Sequence, residues 1–310
     1  MAVVTAAVAV SVSALFALTL LRRWWARGRT NRALLIWGVA LVMFCTASTA
    51  LLVGPLNGWT SAEFRLFYVF GAVLNVPWLA LGSIAVNASR ASVSRWTGVV
   101  LLAVAVLVAR QALAAELAAL WWPSAALALG WAAALLVGRQ RVVVGAAALV
   151  LIVFSALAAA IVLAADYVEP LPTSGVPEGA EVFAPIVRGF AVAGNSVGAV
   201  TVVVSALVSS AVLVWRRPAR DADRQLVADA RVGGYAHAIA RWLFRGRTGA
   251  GEGLAHLVRG NLLVGLGVAI AAAGGVLSFL GDTVGHAIAF TIGVSVMYAG
   301  FVRTTRPVDP

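Results

Sequence analysis

Few residues in this chain could do chemistry, and they are thinly spread. The most unusual pairing is Asn75 and Pro77 in "FYVFGAVLNVPWLALG" (67–82), a polar amide and an imino acid two apart in an otherwise apolar run. Pro77 cannot donate to the carbonyl of Val73, so a kinked helix with one freed carbonyl is expected. If Asn75, Thr46 and Tyr68 gathered around that carbonyl, they could line a ligand or ion path. "GNSVG" (194–198) matches G-x-S-x-G, the spacing of a serine nucleophile. That motif needs a strand–turn–helix, and a Ser196–His286 dyad is the only catalytic pair the chain offers. Arg110 and Arg188 are cations inside apolar segments, where an ionisable group is a candidate anion contact or a snorkelling side chain.

The elements that must hold these residues are membrane spans. Hydrophobic residues make up 62% of the 310 and charged residues 11%, against roughly 25% charged in a soluble chain. About 20 apolar residues cross a bilayer as a helix. Nine stretches come close: 2–21, 33–53, 66–86, 97–119, 121–138, 142–165, 186–214, 261–280 and 284–302. The fold expected is all-α, a polytopic bundle of about nine spans. It divides into a seven-helix block (1–215), a basic connector (216–260) and a two-helix tail (261–310).

Arginine sets the threading. All 23 basic residues are Arg, and 20 of them fall in alternate connections and the C-terminal tail. Five lie in "LRRWWARGRTNR" and nine between 216 and 259. The positive-inside rule puts that side in the cytoplasm, with the N-terminus outside and the C-terminus inside. The formal charge of +11 is therefore a topology signal, and no nucleic-acid partner is expected. Acidic residues such as Glu63, Glu116, Asp166 and Glu181 lean to the other side. Trp residues gather at both edges, as an aromatic belt does.

Several chemistries are unsupported. There is no Lys for a Schiff base, and the one cysteine, Cys45, cannot form a disulfide within the chain. Three scattered His residues and no H-E-x-x-H give no metal site, and no cofactor is expected. At 1.5 Å per residue Ser196 should lie about 15 Å deep and His286 near the surface. Packing is therefore the preferred role of Gly194 and Gly198, and of Gly267, Ala271 and Gly275 later in the chain. For the freed carbonyl at the kink, Asn75 itself or the hydroxyls of Thr46, Ser48 and Thr49 are the expected partners. In the connector, "YAHAIARWLFRGR" can form an interfacial helix on anionic lipid, or be a solvated connector; both readings are open.

The segments "FRLFYVFGAVLNVPWLALGS" and "EGAEVF…RGFAVAGNSVGAV" resemble those of a family of uncharacterised multi-pass bacterial membrane proteins. The first seven spans are also loosely similar to seven-helix bacterial sensor regions, although no kinase or cyclase follows. The resemblance implies a shared fold and a place in the bacterial cytoplasmic membrane, and it supplies no activity. Three functions are open: a non-enzymatic sensor or complex subunit, with a homo-oligomer or another membrane protein as partner; a small-solute transporter or channel; and an intramembrane serine hydrolase.

Overall fold

The computed structural model describes residues 2–88, 90–114, 118–138, 142–172, 177, 179–215, 252–279 and 283–304, with no strand among them. The helices are α1 (Ala2–Ala26), α2 (Arg32–Asn57), α3 (Ser61–Phe67), a π-helical segment (Tyr68–Leu74) and α4 (Asn75–Asn87). Then come α5 (Ala91–Ala114), α6 (Ala118–Val137), α7 (Val143–Ala164), the short α8 (Gly179–Val182) and α9 (Pro185–Trp215). The last two are α10 (Glu252–Phe279) and α11 (Thr283–Thr304).

Among the described residues, eight helices are long and apolar enough to cross a membrane, counting Ser61–Asn87 as one. The ninth expected span corresponds to α11, whose apolar stretch, Ile288–Val302, is shorter. The surface agrees with a multi-pass membrane protein: α7 presents Leu149, Ile152, Val153 and Leu157 outward, each more than half exposed. Water would not tolerate a stripe of that kind along a whole helix.

Helix starts are set by polar residues that hydropathy alone overlooks. Asn31 Oδ1 accepts from the first-turn amides of Ala33 and Leu34 at 3.2 and 3.4 Å. Thr60 and Glu63 form a capping box, Glu63 N–H to Thr60 Oγ1 at 3.2 Å and Thr60 N–H to Glu63 Oε2 at 3.0 Å. That cap starts the third span at Ser61, five residues before the hydropathic boundary, and so brings Arg65 inside the helix. The hairpin helix α10 likewise begins at Glu252, inside the stretch read as connector. The connector's candidate lipid-contacting residues up to 251 lie outside the described residues.

Helix α9 is the central post. It packs against the π segment, α4, α5, α6 and α10, while α1 pairs with α2 and α11. Helices α10 and α11 touch backbone to backbone: a Cβ on Gly267 would sit 2.5 Å from the Gly293 carbonyl, and one on Gly293 2.6 Å from that of Gly267. Ala271 Cβ lies 3.0 Å from the same Gly293 position, so the small-residue face expected in this helix is an interface. The contacts of Gly275 lie outside the described residues. Trp37 of α2 donates Nε1–H to the Leu79 carbonyl at 2.9 Å and meets Phe301 of α11 edge-on at 6.2 Å, tying three helices together.

Candidate functional site

The Asn75–Pro77 kink follows the one π-helical stretch among the described residues. Seven residues before it, Tyr68–Leu74, wind in that form. Pro77 explains why: neither the four-residue nor the five-residue spacing can find an amide hydrogen at position 77, so the carbonyls of Val73 and Ala72 are at risk. The Val76 amide donates instead to Asn75 Oδ1 at 2.7 Å. Ala72 is served from another helix, by Asn195 Nδ2 of α9 at 2.8 Å. The first contact gives the Val76 amide an acceptor and the second gives the Ala72 carbonyl a donor, in an apolar setting where each would otherwise be costly.

The two motifs read separately in the sequence thus meet. A Cβ on Gly194 would stand 2.0 Å from the Val73 carbonyl oxygen, and one on Gly198 2.9 Å from Pro77 N. Only hydrogen fits at either place, so α9 lies directly on the kink backbone. Asn75 is 1% exposed. Of the expected donors on the second helix, Thr46 and Thr49 return their hydroxyls to their own helix, at Val42 O (3.0 Å) and Cys45 O (2.8 Å). Ser48 is buried. These β-branched hydroxyls reach the i−4 carbonyl more easily than a neighbouring helix.

Tyr68 sits away from Asn75's amide, in an aromatic cluster. Its ring is 4.7 Å from Phe183 and 6.1 Å from Phe64, and Phe64 stacks on Phe183 at 5.5 Å. Arg188 lies close enough to act on Tyr68 electrostatically. Arg110 is exposed on α5. Next to the cluster is a cation that the sequence does not single out. Arg65 donates to the carbonyls of Val162 (2.7 Å), Leu163 and Ala165 (2.7 Å), and its guanidinium lies 4.9 Å from the Tyr167 ring. It closes the C-terminal end of α7, where carbonyls lack intrahelical donors and the helix dipole is negative.

A second polar group occupies the opposite end of the bundle. Arg90 Nη1 donates to Ser209 Oγ at 2.7 Å, and Asn261 Nδ2 donates to the same oxygen at 3.2 Å. One turn deeper, Thr97 Oγ1 and Ser205 Oγ are 3.5 Å apart, both buried. Thr201, Ser205 and Ser209 recur every fourth residue on α9, a spacing visible in "TVVVSALVSS". Sequence reasoning passes over them because hydroxyls are common in membrane helices. Arg90, Ser209 and Asn261 thus share one end of the bundle.

Ser196 is exposed and donates to Val192 O of its own helix at 2.6 Å. The side chain of His286 lies outside the described residues, and its helix, α11, packs on α10 and α1. Among the described residues no group of His, Cys, Asp and Glu could hold a metal ion. Comparison with protein-family models, with curated proteins and with solved structures returned no match.

Proposed function

We propose that this chain is a non-enzymatic module of the bacterial cytoplasmic membrane, threaded nine times with its C-terminus in the cytoplasm. In this reading it acts through helix contacts, as a sensor or as a subunit of a larger complex. The observation that carries this is the closed kink. Gly194 and Gly198 press α9 onto Val73 and Pro77, which fills the space a ligand would need beside Asn75. The gap lined by Trp37, Leu79 and Phe301 has a volume of about 20 Å³, enough for one water, and is almost wholly apolar.

Photo-crosslinking from position 196 on the exposed side of α9, in intact cells, tests the reading. A discrete adduct with a second copy or another membrane protein is expected, and adducts with lipid alone would count against it. The π segment beside a proline favours a second reading, a small-solute transporter. Loss of uptake in a folded Asn75→Leu variant would establish that reading instead. For the hydrolase reading, labelling of Ser196 by a fluorophosphonate probe is the decisive result, and none is expected.

A further inference from the structure

Among the described residues, four buried side-chain oxygens have no hydrogen-bond partner: Asn87 Oδ1, Ser92 Oγ, Ser124 Oγ and Ser210 Oγ. Three of the four belong to residues beside one contact. Asn87 and Ser92 flank Arg90, three residues before it and two after. Ser210 follows Ser209, whose hydroxyl accepts from Arg90 Nη1 at 2.7 Å and from Asn261 Nδ2 at 3.2 Å. The Arg90 amide also donates to the Asn87 carbonyl at 2.8 Å, which ties the end of α4 to the same node. Nδ2 of Asn87 is fixed on Ser83 O at 3.0 Å, leaving Oδ1 at the other corner of the amide. Asn87 is 6% exposed and Ser210 5%, whereas Arg90 and Asn261 are half-buried, so the node runs from the interior to the surface. Buried oxygens without a partner are uncommon, because each has given up its hydrogen bonds to water. Hydroxyls elsewhere in the bundle avoid that cost by bonding the carbonyl four residues back, as Ser196, Thr201 and Ser295 do. Ser210 makes no such bond.

We propose that the node of Arg90 and Ser209 is a water-binding pocket, in which ordered water completes the bonds of Asn87 Oδ1, Ser92 Oγ and Ser210 Oγ. The mixture of groups selects the occupant. Asn87 Oδ1 can only accept, Arg90 can only donate, and the serine hydroxyls do either. A metal cation would suit Asn87 and be repelled by the guanidinium. An anion would suit Arg90 and be repelled by the Asn87 oxygen. Water donates and accepts, and a buried water makes about three such bonds. It enters beside Arg90, the half-buried side of the node. Bound there, it couples the α4–α5 junction to α9 in addition to the direct bond between Arg90 and Ser209. The pocket is independent of whether the chain senses, assembles or transports.

The test uses the full chain in detergent micelles with its six asparagines labelled with nitrogen-15 in the side-chain amide. Magnetisation transfer from water, read by nuclear magnetic resonance, should give a long-lived cross-peak at the Asn87 amide and none at Asn75, which is 1% exposed and outside the node. Ser210→Ala, nearly isosteric, should weaken the Asn87 cross-peak. It should also raise the unfolding equilibrium constant about fivefold, the worth of one ordinary hydrogen bond. Ser124→Ala, near the start of α6 and away from the node, should leave that constant unchanged or lower it. Absence of the Asn87 cross-peak, or a Ser210→Ala variant as stable as wild type, would overturn the pocket. A gain in wild-type stability with chloride that Ser210→Ala abolishes would overturn the water assignment in favour of an anion.

Discussion

Asn195 Nδ2 of α9 donates to the carbonyl of Ala72 at 2.8 Å, replacing the hydrogen bond that the Pro77 kink takes from its own helix. The contact joins the π-helical span to the central post of the bundle. Replacing Asn195 by Leu leaves that carbonyl to find another donor in an apolar setting. Interhelical hydrogen bonds in membranes are modest, so the expected loss is about 1 kcal/mol. Reversible unfolding in mixed micelles, followed by tryptophan emission, checks it. A variant as stable as wild type would show that the bond is incidental to the kink.

Sterics at the same interface should matter more. Gly194→Val would drive a branched side chain into the Val73 carbonyl, which a Cβ alone would approach to 2.0 Å. The helices must separate, and overpacking of this kind costs about 1–3 kcal/mol. Gly145 on α7 is the matched control, because a Cβ there would meet nothing within 4 Å. Gly145→Ala should be neutral or slightly stabilising, since alanine is the better helix former. If the two substitutions behave alike in the same unfolding assay, the close approach of α9 to the kink does not hold.

How far these relationships can be read beforehand depends on what each needs. Span positions follow from runs of apolar residues, and the kink from Pro77 alone. Arg placement gives an expected grouping of span ends, while the node of Arg90, Ser209 and Asn261 is a contact that only the fold reveals. Neighbour identity does not follow, because helices built from Ala, Val, Leu and Gly present similar surfaces in every direction. By sequence, Thr46 and Thr49 are therefore as good a choice as Asn195 for the kink, and Asn195 hides inside a pattern read for its serine. The capping box at Thr60 and Glu63 is legible as T-x-x-E, and it places Arg65 inside the helix where hydropathy does not.

Arg65 provides a test of geometry against charge. Its guanidinium spans the carbonyls of Val162, Leu163 and Ala165, which a planar fork can reach together. Arg65→Gln should cost about 1.5–3 kcal/mol, the range for hydrogen bonds from a charged group. Arg65→Lys keeps the charge near the α7 dipole and loses the fork, so it should recover less than half of that. Amide exchange in the last turn of α7 should quicken in both variants. Full rescue by Lys would mean that charge alone closes the helix.

Ser209 gives the sharpest expectation about how the two-helix tail is held. Its oxygen accepts from Arg90, at the junction of α4 and α5, and from Asn261 of α10. Arg90 and Asn261 do not need to touch each other to be coupled, because both depend on one acceptor. Ser209→Ala strands a half-buried guanidinium and an amide together, so it should cost more than removing either donor. In a double-mutant cycle, Arg90→Met combined with Ser209→Ala should be less damaging than the sum, with an interaction of about 0.5–3 kcal/mol. The same should hold for Asn261→Leu with Ser209→Ala. Limited proteolysis of the 216–251 stretch gives a second readout, since loosening α10 from α9 should alter cleavage there. Strict additivity in both cycles would mean that apolar packing holds the tail in place of the polar node. Gly265 would then be the anchor, since a Cβ on it would stand only 3.1 Å from that of Ala206.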